Sequence, residues 1–272
     1  MANNQTDERP RSVKQRDILK IEPRCIYCAS NWPLTKEHMP PIVMFKKRDR
    51  PKGLVFAACL DCNNGTRGAD LVATLISKLD RMASPGSWQV EENKEQLAIT
   101  EKRAPGVLDE LFRSGRNVLN STPAGVLVPA VQISANGPKT RAYLNVYAAK
   151  FAMALYREHV GHALPLSGFV RTLWFLTPLL AHQQMKQITM AMPLFDQLRE
   201  GKRTSHGQFA YVYNTDHRSV IMALASFHTG LHVLLIASSD QQFNINVEFA
   251  TANLMCPGEL LKHIPAYPLP SP

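Results

Sequence analysis

Two pairs of cysteines, Cys25/Cys28 and Cys59/Cys62, are the residues of this chain whose type and spacing most directly predict chemistry. Each CxxC pair can place two thiolates on one side of a tight turn, and two such turns complete a tetrahedral site of four sulfurs that suits zinc. We therefore expect a structural zinc, and the alternative is four unrelated buried cysteines. A disulfide framework and a redox role are both disfavoured. The fifth cysteine, Cys256, stands alone and is expected to be a small, partly buried residue.

Three residues inside this cysteine frame could carry catalysis. Glu37 and His38 lie between the pairs in the sequence TKEHMPP, and Asn63 directly follows the last cysteine. A carboxylate and an amide oxygen are hard ligands, suited to one Mg²⁺ or Mn²⁺ that keeps several waters. His38 would point to the other face of its strand, where a neutral imidazole can take a proton from an attacking water. The simpler interpretation makes Glu37-His38 an exposed dipeptide and Asn63 a turn or cap residue.

The arrangement resembles the HNH, or ββα-metal, endonucleases. In that family a zinc ribbon of two CxxC pairs brackets an acid-His pair, and the residue after the final cysteine faces the same pocket. The layout is especially similar to phage junction-resolving endonucleases and to bacterial HNH proteins with an EHxPP core, and the resemblance covers residues 24–72. It implies that His38 is the general base, that Glu37 and Asn63 hold the catalytic metal, and that the chain cleaves phosphodiester bonds, most readily in DNA. Enzymes of this kind serve phage defence, restriction, recombination or mobile elements.

The chain departs from the family signature at one position. The middle Asn of that signature, which braces the hairpin loop, should fall near Lys52-Gly53-Leu54, and the best-aligned residue is Gly53. This substitution favours a second function from a different class. Under this alternative hypothesis the chain is a weakened or inactive zinc module that binds nucleic acid or a partner protein.

Positive charge is concentrated around the predicted hairpin. The chain carries a net charge of +9, and residues 1–80 contribute 14 Lys/Arg against 9 Asp/Glu. Such a balance favours a polyanionic partner, and we expect double-stranded DNA held through phosphate contacts that read no sequence. The alternative is an ordinary solvated surface. The candidate phosphate-binding residues are Lys46, Lys47, Arg48, Arg50 and Lys52 in the loop, and Arg67 just beyond Asn63.

The patterns along the chain predict an α+β fold with a larger C-terminal domain of helices and antiparallel sheet, and the resemblance implies an N-terminal zinc-stapled ββα (HNH) module before it. Apolar spacing predicts helices over 71–79, 107–119, 144–155 and 169–180, the third ending at Gly161, and a polar extended segment over 88–100. Strands are expected over 126–133, 209–213, 220–227, 231–237 and 243–249. The predicted domains are a basic arm (1–22), the HNH module (23–82), a linker (83–105) and the C-terminal domain (106–272).

No apolar run reaches the roughly 18 residues needed to cross a bilayer, and the N-terminus has no apolar signal region. We expect a cytoplasmic protein with no membrane partner. One ββα-metal site cuts one strand, so a homodimer through the C-terminal domain is predicted, with candidate surfaces at 144–155, at 169–180 or on an open sheet edge. The C-terminal domain could also sense a ligand or a regulatory protein that controls the nuclease.

Overall fold

The computed structural model describes residues 18–31, 33–79, 88–121, 124–176, 198–244 and 253–265. These residues form helices and antiparallel sheets, which confirms the predicted α+β class. Residues 1–17, most of the predicted basic arm, lie outside this range. The end of that arm is a short helix, α1 (Ile18–Ile21), whose Ile18 is buried.

The cysteine-bearing segment folds as two strands followed by two helices. Strand β1 (Leu34–His38) pairs antiparallel with β2 (Val55–Cys59), in a register that sets His38 opposite Val55. Helix α2 (Leu60–Gly65) starts directly from the end of β2, and α3 (Arg67–Ser77) follows. The apolar spacing over 71–79 therefore correctly predicted a helix.

The C-terminal part is built on one long helix and a six-stranded antiparallel sheet. Helix α6 (Pro138–Val160) has proline in its first turn and ends at Gly161, as the sequence predicts. It is buried over most of its length and packs against the sheet. The strands of the sheet are β5 (Phe169–Phe175), β6 (Arg199–Glu200), β7 (Phe209–Thr215), β8 (Val220–Phe227), β9 (Leu231–Ser238) and β10 (Asn253–Met255). Their order in the sheet is β10-β5-β9-β8-β7-β6.

Helices α4 (Trp88–Arg103) and α5 (Val107–Arg113) lead to a separate two-stranded ribbon of β3 (Arg116–Ser121) and β4 (Leu127–Gln132). The strand predicted over 126–133 is confirmed. Much of the ribbon is exposed, including the side chains of β4.

The two predicted domains share one hydrophobic core. A single cluster of buried side chains runs from the cysteine segment through α3 and α6 into the sheet. At Gly230, in the turn between β8 and β9, an added Cβ would lie 2.5 Å from the carbonyl oxygen of Ile76 at the end of α3. The backbone of this turn therefore contacts the backbone at the end of α3 directly, which only glycine permits.

Several predicted elements are wrong. The segment over 88–100, predicted as extended within a linker, is helix α4, because its Glu, Gln and Lys residues favour a helix. The helix predicted over 107–119 ends at Arg113, and β3 follows. The buried helix predicted over 169–180 is strand β5 as far as Phe175, since short apolar runs with aromatic and β-branched residues are ambiguous by spacing alone. In the strand predicted over 243–249, Phe243 ends a 3-10 turn (Gln241–Phe243), and residues 245–249 lie outside the described residues.

Candidate metal centre and active site

The four paired cysteines come together at one point. Their sulfur atoms all lie within 4.8 Å of one another. In each pair a backbone N–H donates to the sulfur of the first cysteine: Tyr27 N lies 3.4 Å from the Sγ of Cys25, and Cys62 N lies 3.4 Å from the Sγ of Cys59. The first turn follows α1, and the second is formed where β2 ends and α2 begins. The predicted zinc ligands are therefore assembled by the fold.

The spacing of these sulfurs fits a zinc ion. A tetrahedral site with Zn–S bonds of about 2.3 Å has sulfurs separated by roughly 3.8 Å. The Sγ atoms of Cys28 and Cys59 are 3.6 Å apart. The four thiols can thus accept a metal without rebuilding the backbone, and zinc is compatible with this site.

The thiols also interact with one another in a way that favours a cation. A hydrogen bond from the Cys62 thiol lowers the pKa of Cys25 to about 5, and the same contact raises the pKa of Cys62 well above its usual value. Burial raises the pKa of Cys28 to about 12. One thiolate therefore forms readily, whereas further thiolates need a positive ion beside them, so binding of zinc releases protons.

His38 is the last residue of β1 and is half-buried. Burial lowers the pKa of its imidazole to about 4, with smaller contributions from the positive charges of Arg50 and Lys36. The backbone on either side is held, because His38 pairs with Val55 and the next amide, Met39 N, donates to the carbonyl oxygen of Leu54 at 3.2 Å. His38 is therefore neutral near pH 7, the protonation state that a general base requires.

Glu37 lies on the opposite face of β1 and is 3% exposed. Its Oε1 is 3.0 Å from the Nζ of Lys150, which also contacts both carboxylate oxygens of Asp70 at 2.8 Å. Burial raises the pKa of Glu37, and the Lys150 ammonium opposes that rise. The two carboxylates together hold Lys150 protonated and raise its pKa, although burial alone would lower it. The candidate metal ligand Glu37 is thus already engaged by a buried lysine.

Asn63 lies in α2 beside β1. Its Nδ2 donates to the Oγ1 of Thr35 at 2.8 Å and to the carbonyl oxygen of Lys36 at 3.4 Å. Thr35 lies two residues before Glu37 and so on the same face of β1. These bonds hold the Asn63 side chain against β1.

The six basic residues predicted to bind phosphate differ in exposure. Four side chains are exposed; Arg50 is half-buried and donates from Nη2 to the carbonyl oxygen of Leu54 at 2.9 Å; the Lys47 side chain lies outside the described residues. The loop does not project as predicted. It forms two 3-10 turns, Ile42–Met44 and Lys46–Arg48, that pack against the C-terminal part. The four exposed residues are Lys46, Arg48, Lys52 and Arg67.

Sequence reasoning missed Lys150, Asp70 and a third buried residue, Arg203. Arg203 lies beside Gly53, the position that departs from the family signature. A signal for Lys150 was present, since it is a lone charge within an apolar stretch, YAAKFAMALY. A charge in such a run must be paired when it is buried. Its partners lie 80 and 113 residues away, so their identity could not be inferred from local spacing.

Comparison of the chain with protein-family models, with curated proteins and with solved structures finds no match in any of the three. Among the described residues, no helix combines the length and the apolar character needed to cross a membrane.

Proposed function

We propose that the chain is a zinc-stabilised, metal-dependent endonuclease of the HNH type that hydrolyses phosphodiester bonds, with double-stranded DNA as its substrate. The observation that carries the proposal is the position of His38. It lies on the first strand of a β-β-α unit whose second strand and helix supply Cys59 and Cys62, so the cysteine cluster and the histidine share one small framework.

In this proposal His38 accepts a proton from the attacking water. Burial and two neighbouring cations keep it neutral at physiological pH. A correctly placed general base of this kind contributes roughly 10²–10⁴-fold to the rate. The exposed basic residues of the loop, together with Arg67, would hold the phosphate backbone.

The residues assigned to the catalytic Mg²⁺ or Mn²⁺ fit such an ion in donor type, since Glu37 and Asn63 both offer oxygen. They fit it less well in charge, because Glu37 also pairs with Lys150. An ion held there would stabilise negative charge on the scissile phosphate and the leaving oxygen. Sharing the carboxylate with an ammonium should weaken the affinity for that ion, so cleavage is expected to need a higher metal concentration than an unshared carboxylate would.

The same pairing favours a second candidate function. If Glu37 serves only to bind Lys150, the module is non-catalytic and its zinc framework and basic loop bind nucleic acid or a partner protein. Gly53 in place of the signature Asn is consistent with the hypothesis of a non-catalytic module.

We further propose a homodimer, because cutting both strands of a duplex needs two sites. Of the surfaces predicted for it, α6 and the start of β5 belong to the core, and residues 177–180 lie outside the described residues. A different apolar surface lies on the β3–β4 ribbon. Leu119, Leu127 and Val131 share one face and are 66%, 61% and 64% exposed. Residues 117–132 carry no charge in a chain of net charge +9, so contact between two copies over these residues places no charged side chains of the stretch against one another.

The two candidate functions are distinguished by a cleavage assay on the full chain. Supercoiled plasmid, linear single-stranded DNA, a four-way DNA junction and double-stranded RNA are each incubated with zinc-loaded protein and Mg²⁺ or Mn²⁺. The nuclease proposal expects cleavage that stops when EDTA is added and returns with excess Mg²⁺, at one zinc per chain. Binding to these substrates without cleavage, in protein shown to retain its zinc, would support the non-catalytic module.

A further inference from the structure

Arg203 reaches from the C-terminal part into the loop that joins β1 and β2. It is 6% exposed and lies between β6 and β7. Its Nη1 donates to the carbonyl oxygen of Lys52 at 3.2 Å, and its Nε donates to the Oε1 of Glu158 on α6 at 3.3 Å. Glu158 is 2% exposed, so the ion pair is buried and holds the guanidinium in one orientation.

The backbone of Gly53 rests directly on this guanidinium. Gly53 has φ +99°, and a Cβ added there would lie 2.7 Å from the Cζ of Arg203 and 2.8 Å from its Nε and Nη1. Those distances are shorter than any real Cβ contact, and the arginine cannot withdraw without breaking its bonds to Glu158 and Lys52. Any side chain at position 53, including asparagine, would therefore collide with Arg203.

The residues that follow Gly53 hold His38 in place. The carbonyl oxygen of Leu54 accepts hydrogen bonds from Met39 N and from Arg50, and Val55 pairs with His38 across the two strands. By holding Lys52 and Gly53, Arg203 therefore also holds the register between β2 and the end of β1 that carries the His38 imidazole. It also holds Arg50, whose Nη2 donates to the same Leu54 carbonyl oxygen at 2.9 Å.

Two further bonds join the same segment to the same loop. Ser205 Oγ donates to the carbonyl oxygen of Asp49 at 3.2 Å, and the backbone N–H of Lys46 donates to the Oε1 of Gln208 at 2.7 Å. The stretch 203–208 therefore runs along the loop from Lys52 back to Lys46. Arg203 is the buried charged residue of this stretch.

We propose that Arg203 is a positioning residue for His38: it braces the β1–β2 loop from the C-terminal part and replaces the support that a side chain at position 53 would give. This inference rests on the proposed nuclease function, because it assigns Arg203 to the geometry of that site. It implies that residues 23–82 alone do not form a competent site, and that the C-terminal part is a structural component of the catalytic loop.

The test compares Glu158→Gln with the double variant Glu158→Gln/Arg203→Met in the full chain. The double variant removes the guanidinium without leaving a buried carboxylate unpaired, which would by itself destabilise the protein. Amide hydrogen exchange is followed by mass spectrometry over 39–54, and cleavage is measured as kcat and KM. Arg203→Lys, with Glu158 intact, is a second variant that keeps the charge but lacks the planar fork.

The proposal expects the Met39 amide to exchange at least tenfold faster in the double variant than in Glu158→Gln. It also expects kcat to fall on the order of 10²-fold with KM little changed, since small misplacements of catalytic groups have effects of this size. Arg203→Lys should recover less than half of the lost activity. Unchanged exchange of the Met39 amide, or faster exchange with unchanged kcat, would overturn the positioning role. If the wild type cleaves no substrate, the nuclease proposal fails, and the exchange data still report whether Arg203 braces the loop.

Discussion

Replacing Lys150 with methionine should destabilise the protein by about 3–5 kcal/mol, the usual effect of removing one partner from a buried ion pair. Lys150 is fully buried, and its ammonium lies 2.8 Å from both oxygens of Asp70 and 3.0 Å from Glu37. Methionine keeps the length of the side chain and removes the charge. Two buried carboxylates then face each other without a cation. A loss of this size is a large fraction of the roughly 5–15 kcal/mol by which domains are stable.

The pH dependence of that loss has a definite sign. Burial already raises the pKa of Glu37 and of Asp70, and removal of the lysine takes away the group that opposes the rise. Carboxylates whose pKa is higher in the folded state favour folding at low pH, and that contribution is lost as the pH rises through the folded pKa. The variant should therefore lie closest to the wild type in stability at acid pH and furthest from it near neutrality.

Urea unfolding of zinc-loaded protein, followed by circular dichroism, measures the effect. Arg141→Met is the matched control, since Arg141 is an exposed cation on the same helix and its loss should change stability by about 0.5 kcal/mol or less. The triple variant Lys150→Met/Glu37→Gln/Asp70→Asn, which removes all three charges, should recover part of the loss. A loss below about 1 kcal/mol for Lys150→Met would refute the reasoning that the lysine neutralises a buried pair.

Three further predictions concern the site and the assembly. With zinc retained, kcat/KM should stay level as the pH is lowered to about 5. It should fall at lower pH as His38 protonates at a pKa of about 4, because the base acts only when neutral. A half-maximal kcat/KM near pH 6.5 would contradict this prediction. Replacing the exposed loop residues Lys46, Arg48 and Lys52 with glutamine should flatten the salt dependence of DNA binding. The slope of log K against log salt concentration should change by about 0.9 per lost phosphate contact, and an unchanged slope would place DNA elsewhere. Leu119→Glu with Leu127→Glu should convert the dimer to a monomer in light scattering, and a monomeric wild type would contradict the ribbon interface.

Local patterns predicted much of this fold. The apolar spacing of α3 and α6, the glycine that ends α6 and the strands β7, β8 and β9 all follow from side-chain periodicity within one element. The paired cysteines predicted their own convergence, because CxxC spacing is a property of a single turn. Where the sequence misled, as at β5, the residues satisfy both helical and strand spacing, and only the pairing with β9 decides between them.

The contacts that join distant segments could not be predicted. Lys150, Arg157 and Glu158 on α6 bind Glu37, Glu22 and Arg203 respectively, and each pair is buried. Nothing in the local sequence identifies the partner of such a charge. Two of these pairs, Lys150–Glu37 and Arg157–Glu22, join the N-terminal segments to α6. The loop predicted to project into solvent instead contacts residues far away in the sequence, Gln208 and His228, which local patterns could not identify.

The most direct test of the nuclease proposal is plasmid cleavage by His38→Ala, measured beside the wild type and beside His263→Ala, which removes an exposed histidine elsewhere on the chain. All three proteins are first shown by metal analysis to carry equal zinc. If His38 is the general base, His38→Ala should cleave at least 10²-fold more slowly in Mg²⁺ or Mn²⁺ with DNA binding retained, and His263→Ala should match the wild type. Equal cleavage rates for His38→Ala and the wild type would contradict the assignment.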